Sequence, residues 1–324
     1  MSEILVVTCP SGKQCAHLIP LVYQRGQFKL RLAAHSVSSQ SRLQSQYPEA
    51  EVVHTDLASL DDCRKLLAGA TAVYHVGPSF HSREMEMGFN MIDAAIAESQ
   101  QPDSRFQHFV FSSVLGTQHR NLMQHDLKSR VEERLFLSPI NFTILQPTNF
   151  MDAYPVAQLA EQSKPVVHKL WNPNIPNSVV ALHDLAEAAA KVLTEREAHF
   201  FAQYPLCSTM PVSDSTIIAV IEKHLGKKIE VLTPSFEEGV ENCIQYLFGG
   251  AESAVYAGEQ VAEDLKRAAA DGELRPDITR DEAERLVLFY NRRGLKGNPR
   301  VLRWLIGREP TTVDEWVQAQ LQRA

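Results

Sequence analysis

Glycine is scarce in this sequence, at 15 of 324 residues, and the shortage becomes informative where a glycine-rich turn is expected. The five cysteines are odd in number and scattered, with no CxxC pair, so neither a disulfide framework nor a zinc site is indicated. The 12 histidines show no HExxH or comparable ligand spacing, and no metal is expected. No apolar run approaches the roughly 18 residues that a membrane span needs. A basic excess is missing as well. With 32 Lys+Arg against 39 Asp+Glu the formal net charge is -7, which argues against nucleic acid as a partner, because phosphate binding needs a concentrated positive field. The N-terminus runs straight into an apolar segment with no basic region or cleavage site, so a cytoplasmic location is expected. A chain of this length buries roughly 75% of its unfolded surface and needs no cross-link to supplement its core.

What is present is an alternation. Short apolar runs at residues 4–7, 28–34, 52–54, 72–76, 106–112 and 141–146 are separated by helical spacing at 13–25, 60–67, 84–99 and 121–137. Strands in this rhythm, apolar along most of their length, predict a doubly wound, Rossmann-type α/β domain over residues 1–150 with a parallel sheet covered on both faces. The pattern loosens over residues 151–324. Strands are expected near 166–169, 178–181 and 228–232, and a helix over 183–193. From Glu252 onward the chain is helical and highly charged, punctuated by Gly258 and Gly272. This reads as a smaller, mainly helical lobe on the carboxyl edge of the sheet, where such folds bind ligands, so the lobe would wall a substrate pocket.

The decisive segment is Val6-Val7-Thr8-Cys9-Pro10-Ser11-Gly12-Lys13-Gln14-Cys15-Ala16. It leaves a strand and opens a helix, where backbone N–H groups and the helix dipole can hold a pyrophosphate. Three-residue spacing would put glycines at positions 9, 12 and 15; this chain has Cys9, Gly12 and Cys15. A P-loop is excluded, since Val7 stands where its first glycine belongs and Gln14 where its Ser or Thr belongs.

With this turn the chain resembles the NmrA-like branch of the atypical short-chain dehydrogenase/reductase superfamily, whose members open with a TGATGKQG-type turn. The resemblance extends to His54-Thr55-Asp56-Leu57, Val76-Gly77-Pro78-Ser79-Phe80, Phe109-Val110-Phe111-Ser112-Ser113, Gln146-Pro147-Thr148-Asn149-Phe150-Met151, and the late motif running from Trp304 to Thr312. It implies that Thr8, Ser11, Gly12, Lys13 and Gln14 line the pyrophosphate, that Asp56 and Leu57 edge the adenine, and that Gly77 and Pro78 pass beside the nicotinamide ribose. Pro147 and Asn149 join the cofactor set through the motif after strand six.

Cofactor choice depends on the end of the second strand. No acid lies between Phe28 and Pro48 to take a ribose 2′-OH, which disfavours NAD and leaves NADP as the expectation. His35 stands where NADP-using relatives often carry arginine; Arg31 and Arg42 are nearby cations, or solvated surface. The two bulky cysteines keep a site without any cofactor open as an alternative.

For catalysis, the superfamily's YxxxK helix aligns with Met123-Gln124-His125-Asp126-Leu127-Lys128, so Lys128 matches the lysine and Gln124 replaces the tyrosine. Lys128 would hold the nicotinamide ribose or act as acid/base; its bland alternative is an exposed lysine paired with Glu132 at i+4. His125 is a proton donor in place of the tyrosine, or a surface histidine. Ser113, with Ser112, ends strand five on the ligand edge, either as a catalytic hydroxyl or as a cap. Arg292, Arg293, Lys296, Arg300, Arg303 and Arg308 form a basic cluster, read as a solvated helix face ahead of an anion site.

Three functions follow. The first is an NADPH-dependent reductase of a small, largely apolar and aromatic secondary metabolite, with Phe80, Phe150 and Met151 suiting the pocket. The second is a non-catalytic dinucleotide sensor with a protein partner, as NmrA itself is, favoured by the missing tyrosine and glycines. The third is a cofactor-independent enzyme using the same cleft.

Overall fold

The computed structural model describes residues 3–79, 81, 83–248 and 276–323. Its first strand shows why the strands are apolar along most of their length: in β1 (Glu3–Val7), Leu5 and Val7 enter one core while Val6 enters the core on the opposite face. Helices cover both faces, so neither side of the sheet meets water. The chain continues through α1 (Lys13–Arg25), β2 (Phe28–Ala34), α2 (Val37–Gln46), β3 (Glu51–His54), α3 (Leu60–Leu67), β4 (Ala72–Val76), α4 (Glu84–Ser99), β5 (His108–Ser112), α5 (Met123–Phe136) and β6 (Phe142–Pro147). It then builds β7 (Asn149–Phe150), α6 (Val156–Glu161), β8 (Val166–His168), β9 (Val179–Val180), α7 (Leu182–Glu195), β10 (Ala202–Leu206), α8 (Asp214–Leu225), β11 (Glu230–Leu232) and α9 (Phe236–Phe248). Three further described helices follow: α10 (Pro276–Arg292), α11 (Arg300–Ile306) and α12 (Val313–Arg323).

The main sheet runs β3-β2-β1-β4-β5-β6-β10, parallel throughout. This is the doubly wound, Rossmann-type arrangement. Leu18, Ile19 and Val22 of α1 and Leu43 of α2 pack on one face; Leu66 of α3, Met91 and Ile92 of α4 and Val131 of α5 pack on the other.

Two features of the main sheet and its covering helices were not legible as sequence patterns. Helix α2 carries only Val37 and Leu43 as apolar residues, and Val37 is exposed, so no stripe announces it; Ser36 starts it by accepting a hydrogen bond from the Ser39 N–H. The other is a return of the chain to the main sheet. After β9, α7 packs beside α1 through Leu182, Leu185 and Ala189, and β10 adds a seventh strand beside β6.

The second lobe has its own core, in which Met151, Val156, Leu159 and Val167 meet Ile217 and Ile221 of α8 and Trp316 of α12. Small parallel pairs β8–β11 and β7–β9 complete it. The late motif seen in the sequence is a structural tie: buried Asp184 of α7 accepts hydrogen bonds from the Thr311 N–H (2.8 Å), the Thr311 hydroxyl (2.9 Å), Arg308 (2.7 Å) and Ser208 (2.7 Å). Arg308 also pairs with Glu187, and Arg303 with Glu309, so two members of the basic cluster are neutralised locally. The expectations for Glu252, Gly258 and Gly272 lie outside the described residues.

Helices α4 and α5 cross at Gly88, where a Cβ would lie 2.6 Å from Cγ2 of buried Val131. Valine is stiff at χ1 and cannot swing aside. Gly88→Ala is expected to lower unfolding stability by roughly 1–3 kcal/mol, the usual cost of overpacking. Adding Val131→Ala should recover part of it, measured by urea unfolding.

Candidate functional site

Residues just past the carboxyl ends of β1, β4, β5 and β6 line a cleft of about 430 Å³. It opens beside the β1–β4 boundary, because α1 departs to one face and α4 to the other. The second lobe walls it with Tyr154, Lys169, Trp171 and Asp214.

In the first turn, Cys9 has φ 47, the left-handed conformation glycine adopts without cost. The turn therefore keeps the backbone shape of a fingerprint glycine while carrying a side chain. The Cys9 carbonyl accepts the Gly12 N–H at 2.9 Å, and a Cβ on residue 12 would lie 3.1 Å from that oxygen. Cys15 is fully buried with its thiol 3.5 Å from the Thr8 carbonyl, so it fills the helix–sheet contact; burial pushes that thiol well above its ordinary range. Helix α1 has no acid in its first turn, and Gly12 offers no side-chain acceptor to its leading N–H groups. The positive end of a 13-residue helix is thus left for an anion. These residues fit the diphosphate of a dinucleotide despite the two cysteines.

Several expected cofactor contacts act as braces. Thr8 is buried; its hydroxyl donates to the Val76 carbonyl (3.0 Å), accepts the Val76 N–H (2.8 Å) and lies 3.1 Å from His75 Nδ1, stitching β1 to β4. The Gln14 side-chain carbonyl accepts from Ser112 (2.6 Å) and Tyr74 (3.3 Å). Ser11 accepts a hydrogen bond from Arg42 of α2 at 3.0 Å, which draws a cation to the turn. Arg31, by contrast, is held by Glu51 and the Leu66 and Ala68 carbonyls.

Lys128 departs from the exposed, Glu132-paired alternative. It is buried in the cleft wall, and its Nζ is ion-paired with the buried carboxylate of Glu84 on α4. Glu84 lies so close behind Gly77 that a Cβ there would meet Oε1 at 3.2 Å, giving that glycine a packing reason of its own. Burial brings Lys128 down to about 8, with Cys9 and Glu132 opposing the shift. Glu132 instead gathers the ends of β5 and β6, accepting from Ser113 (2.6 Å), Thr117 (3.0 Å) and Gln146 (2.9 Å).

His125 is buried, with Nδ1 2.9 Å from the Gly116 carbonyl, and desolvation lowers its pKa. It is not the surface histidine of the bland alternative. His75, stacked on Phe111, is held near 3 by burial and stays neutral. Gln124, in the tyrosine's place, lines the cleft with a buried Oε1 that has no hydrogen-bond partner among the described residues.

Of the residues picked from the sequence, Gly12, Lys13, Gln14, Gly77, Pro78, Ser113, His125, Lys128, Pro147 and Asn149 share the cleft. Thr8, Ser11, His35, Asp56 and Leu57 do not line it; the last three follow β2 and β3 along the same sheet edge. Phe150 lines the cleft, Met151 is buried in the second-lobe core instead, and Phe80 lies outside the described residues. Sequence reading missed Glu84, which resembles an ordinary dipole-matching acid in the first turn of a helix. It also missed Tyr154, Lys169, Trp171 and Asp214, which no spacing connects. Among the described residues, no group of three or more His, Cys, Asp or Glu could hold a metal, and no helix is long and apolar enough to cross a membrane.

The profile of the NmrA-like family matches residues 1–274. The chain is similar to the Citrobacter sp. triphenylmethane reductase complexed with NADP(H), at 19% identity and TM-score 0.71, covering 98% of this chain and 99% of that one. It is similar to an NADPH-dependent quinone oxidoreductase from Escherichia coli at 18% identity and TM-score 0.70, covering 98% and 99%. A mutant NmrA matches at 16% identity and TM-score 0.61, covering 89% and 96%. These likenesses are of fold. No curated protein matches the chain.

Relief of the left-handed strain at Cys9, roughly 1–2 kcal/mol, set against an unfolded-state cost of about 0.4–1 kcal/mol for glycine, leaves a net gain for Cys9→Gly of about 0.5–1 kcal/mol. Cys9→Val should be destabilising, since a β-branched residue tolerates that φ worst. Opposite shifts of the two urea midpoints are the expected result.

Proposed function

The chain belongs to the NmrA-like family, and from that premise we propose that it is an NADPH-dependent reductase of a small, largely apolar, aromatic secondary metabolite. The observation that carries the reading is the meeting, in one cleft, of the α1 N-terminus and buried Lys128. A bound nicotinamide dinucleotide supplies the hydride. Gly12, Lys13 and Gln14 would hold its diphosphate, with Gly77, Pro78, Pro147 and Asn149 along its nicotinamide half. His35, Asp56 and Leu57 would flank the adenosine end. Phe150, Trp171, Leu286 and Tyr290 give the remaining wall an apolar, aromatic character suited to such a substrate.

NADP over NAD is supported by Arg42, which reaches the first turn at Ser11 from the helix after β2, where an adenosine 2′-phosphate would lie. NADPH is expected to bind with micromolar affinity in a fluorescence titration, and NADH more weakly. Arg42→Ala should weaken NADPH about tenfold or more while leaving NADH unchanged, as loss of a charge-assisted hydrogen bond requires. Absence of NADPH binding at millimolar concentration overturns the reading.

In the protonated form Lys128 would hold the nicotinamide ribose and donate a proton to the reduced acceptor, with Glu84 fixing its position. His125 and Ser113 line the same cleft and are the secondary proton-handling groups of this proposal. Burial has moved the Lys128 pKa down to about 8, so the proton-donating form is lost as pH rises through that value. Turnover with aromatic ketone or quinone acceptors should be flat in mildly acidic buffer and fall above pH about 8. Lys128→Met should reduce turnover roughly 100- to 10,000-fold and abolish that fall, followed by NADPH oxidation.

One observation favours a second reading, a dinucleotide sensor with a protein partner: Gln124 leaves the cleft without the tyrosine hydroxyl of the catalytic helix. Tight NADPH binding with no turnover across the acceptor panel would select it.

A further inference from the structure

Across the cleft from the sheet edge, the second lobe brings together three polar side chains that the sequence keeps far apart. Lys169 follows β8, Tyr154 follows the 3-10 turn at Met151–Ala153, and Asp214 opens α8. All three line the cavity. The Tyr154 hydroxyl donates to Asp214 Oδ1, Lys169 Nζ lies 2.6 Å from Asp214 Oδ2, and the same ammonium sits 5.0 Å from the centre of the Tyr154 ring. Asp214 stands in the first turn of α8, at the positive end of that helix. Burial raises the Tyr154 pKa, with Asp214 adding to the effect, so the phenol keeps its proton and donates it as a hydrogen bond to Asp214.

The Lys169–Asp214 contact is close but off hydrogen-bond alignment: it is an ion pair, and Asp214 Oδ2 has no hydrogen-bond partner among the described residues. Lys169 Nζ likewise has a charge partner and a ring beneath it but no hydrogen-bond acceptor among them. An ammonium carries three N–H donors, and a single carboxylate partner leaves donors available to a molecule in the cleft. Next to this cluster, Trp171 stacks on Tyr290 with centroids 4.2 Å apart and planes 15° from parallel, and the Tyr290 hydroxyl is occupied by Asn149 at 2.9 Å. The aromatic wall therefore offers faces, edges and the Trp171 indole N–H, while the charged donors come from Lys169.

We propose that the Lys169–Asp214–Tyr154 cluster recognises a neutral acceptor oxygen, so that the substrate is a planar aromatic ketone or quinone rather than an aromatic carboxylate. Asp214 already balances the charge of Lys169, so the cluster presents donors without a net positive field. A carboxylate would meet Asp214 as a like charge and lose its hydration for no compensating cation. A carbonyl oxygen costs less to desolvate and needs only the donors on offer. Lys169 recognises and orients; the reacting atom belongs at Lys128 on the opposite wall. The inference rests on the proposed reading only in taking this cleft as the substrate pocket, and hydride transfer is not needed to test it.

The test is calorimetric titration of the intact chain, without dinucleotide, using methyl naphthyl ketone, its isostere isopropenylnaphthalene, and naphthoate. The ketone should bind about tenfold tighter than the isostere, as one hydrogen bond from a charged donor implies. Naphthoate should bind no tighter than the ketone. Lys169→Met combined with Asp214→Asn, which leaves neither charge buried alone, should erase the ketone's advantage while the isostere binds as before. That unchanged binding shows that the doubly substituted pocket is intact. Lys169→Arg, which restores donors, should retain a preference for the ketone. Equal binding of ketone and isostere to the unaltered protein, or an advantage that survives the double substitution, overturns the assignment. Naphthoate binding tenfold tighter than the ketone overturns the neutral-oxygen class. NADPH affinity, titrated separately, reports on the reductase reading alone, so failure of one is distinguishable from failure of the other.

Discussion

A parallel sheet must be covered on both faces, and this chain changes faces once within its first six strands. Helices α1 and α2 serve one face; α3, α4 and α5 serve the other. At the boundary β1 and β4 lie side by side, yet the chain leaves them in opposite directions. Their loops cannot close over each other, and the cleft is the space between them. Its position is therefore a consequence of covering the sheet, independent of which residues later line it. Thr8 and its contacts with Val76 and His75 matter for the same reason: they hold together the two strands at the point where their connections diverge.

Within that frame, charge is arranged in closed pairs. Lys128 is buried against Glu84, Lys169 against Asp214, and Asp184 is encircled by four donors including Arg308. Each such group is costly to bury alone and tolerable once paired. The consequences differ with location. Asp184 is away from the cleft lining and ties the C-terminal segment to α7, so its saturated bonds are structural. Lys128 and Lys169 line the cleft from two sides, and each keeps N–H donors beyond those its carboxylate can occupy. A paired lysine at a cavity wall is held in place with its proton chemistry intact, which an exposed lysine, free to rotate and fully hydrated, does not achieve.

How much of this could be read beforehand depends on the range of the signal. Strand and helix alternation is local, and the first six strands follow it; β10 was invisible because Ala202–Leu206 pairs with β6 some 60 residues earlier in the chain, as in Ala202↔Thr143. Helix α2 lacks an apolar stripe because one of its two apolar residues faces solvent. The cleft residues contributed by sheet loops were legible, since each follows a recognisable strand. Glu84 was not, because its partner lies 44 residues away on another helix. The Lys169 cluster was less legible still, being assembled from three separate loops and helix starts of the second lobe.

The scarce glycines resolve into a question of backbone shape against side-chain identity. Position 9 takes φ 47 while bearing a cysteine side chain, and the Gly12 N–H closes the turn on its carbonyl. Position 15 needs close contact with the sheet, and a small buried thiol provides it. Both cysteines thus meet the geometric demand that glycine usually meets, one by accepting strain and the other by filling space. The composition alters the energetics of the dinucleotide motif more than its form, and the donors that a phosphate would meet are backbone N–H groups, which a cysteine keeps as a glycine does.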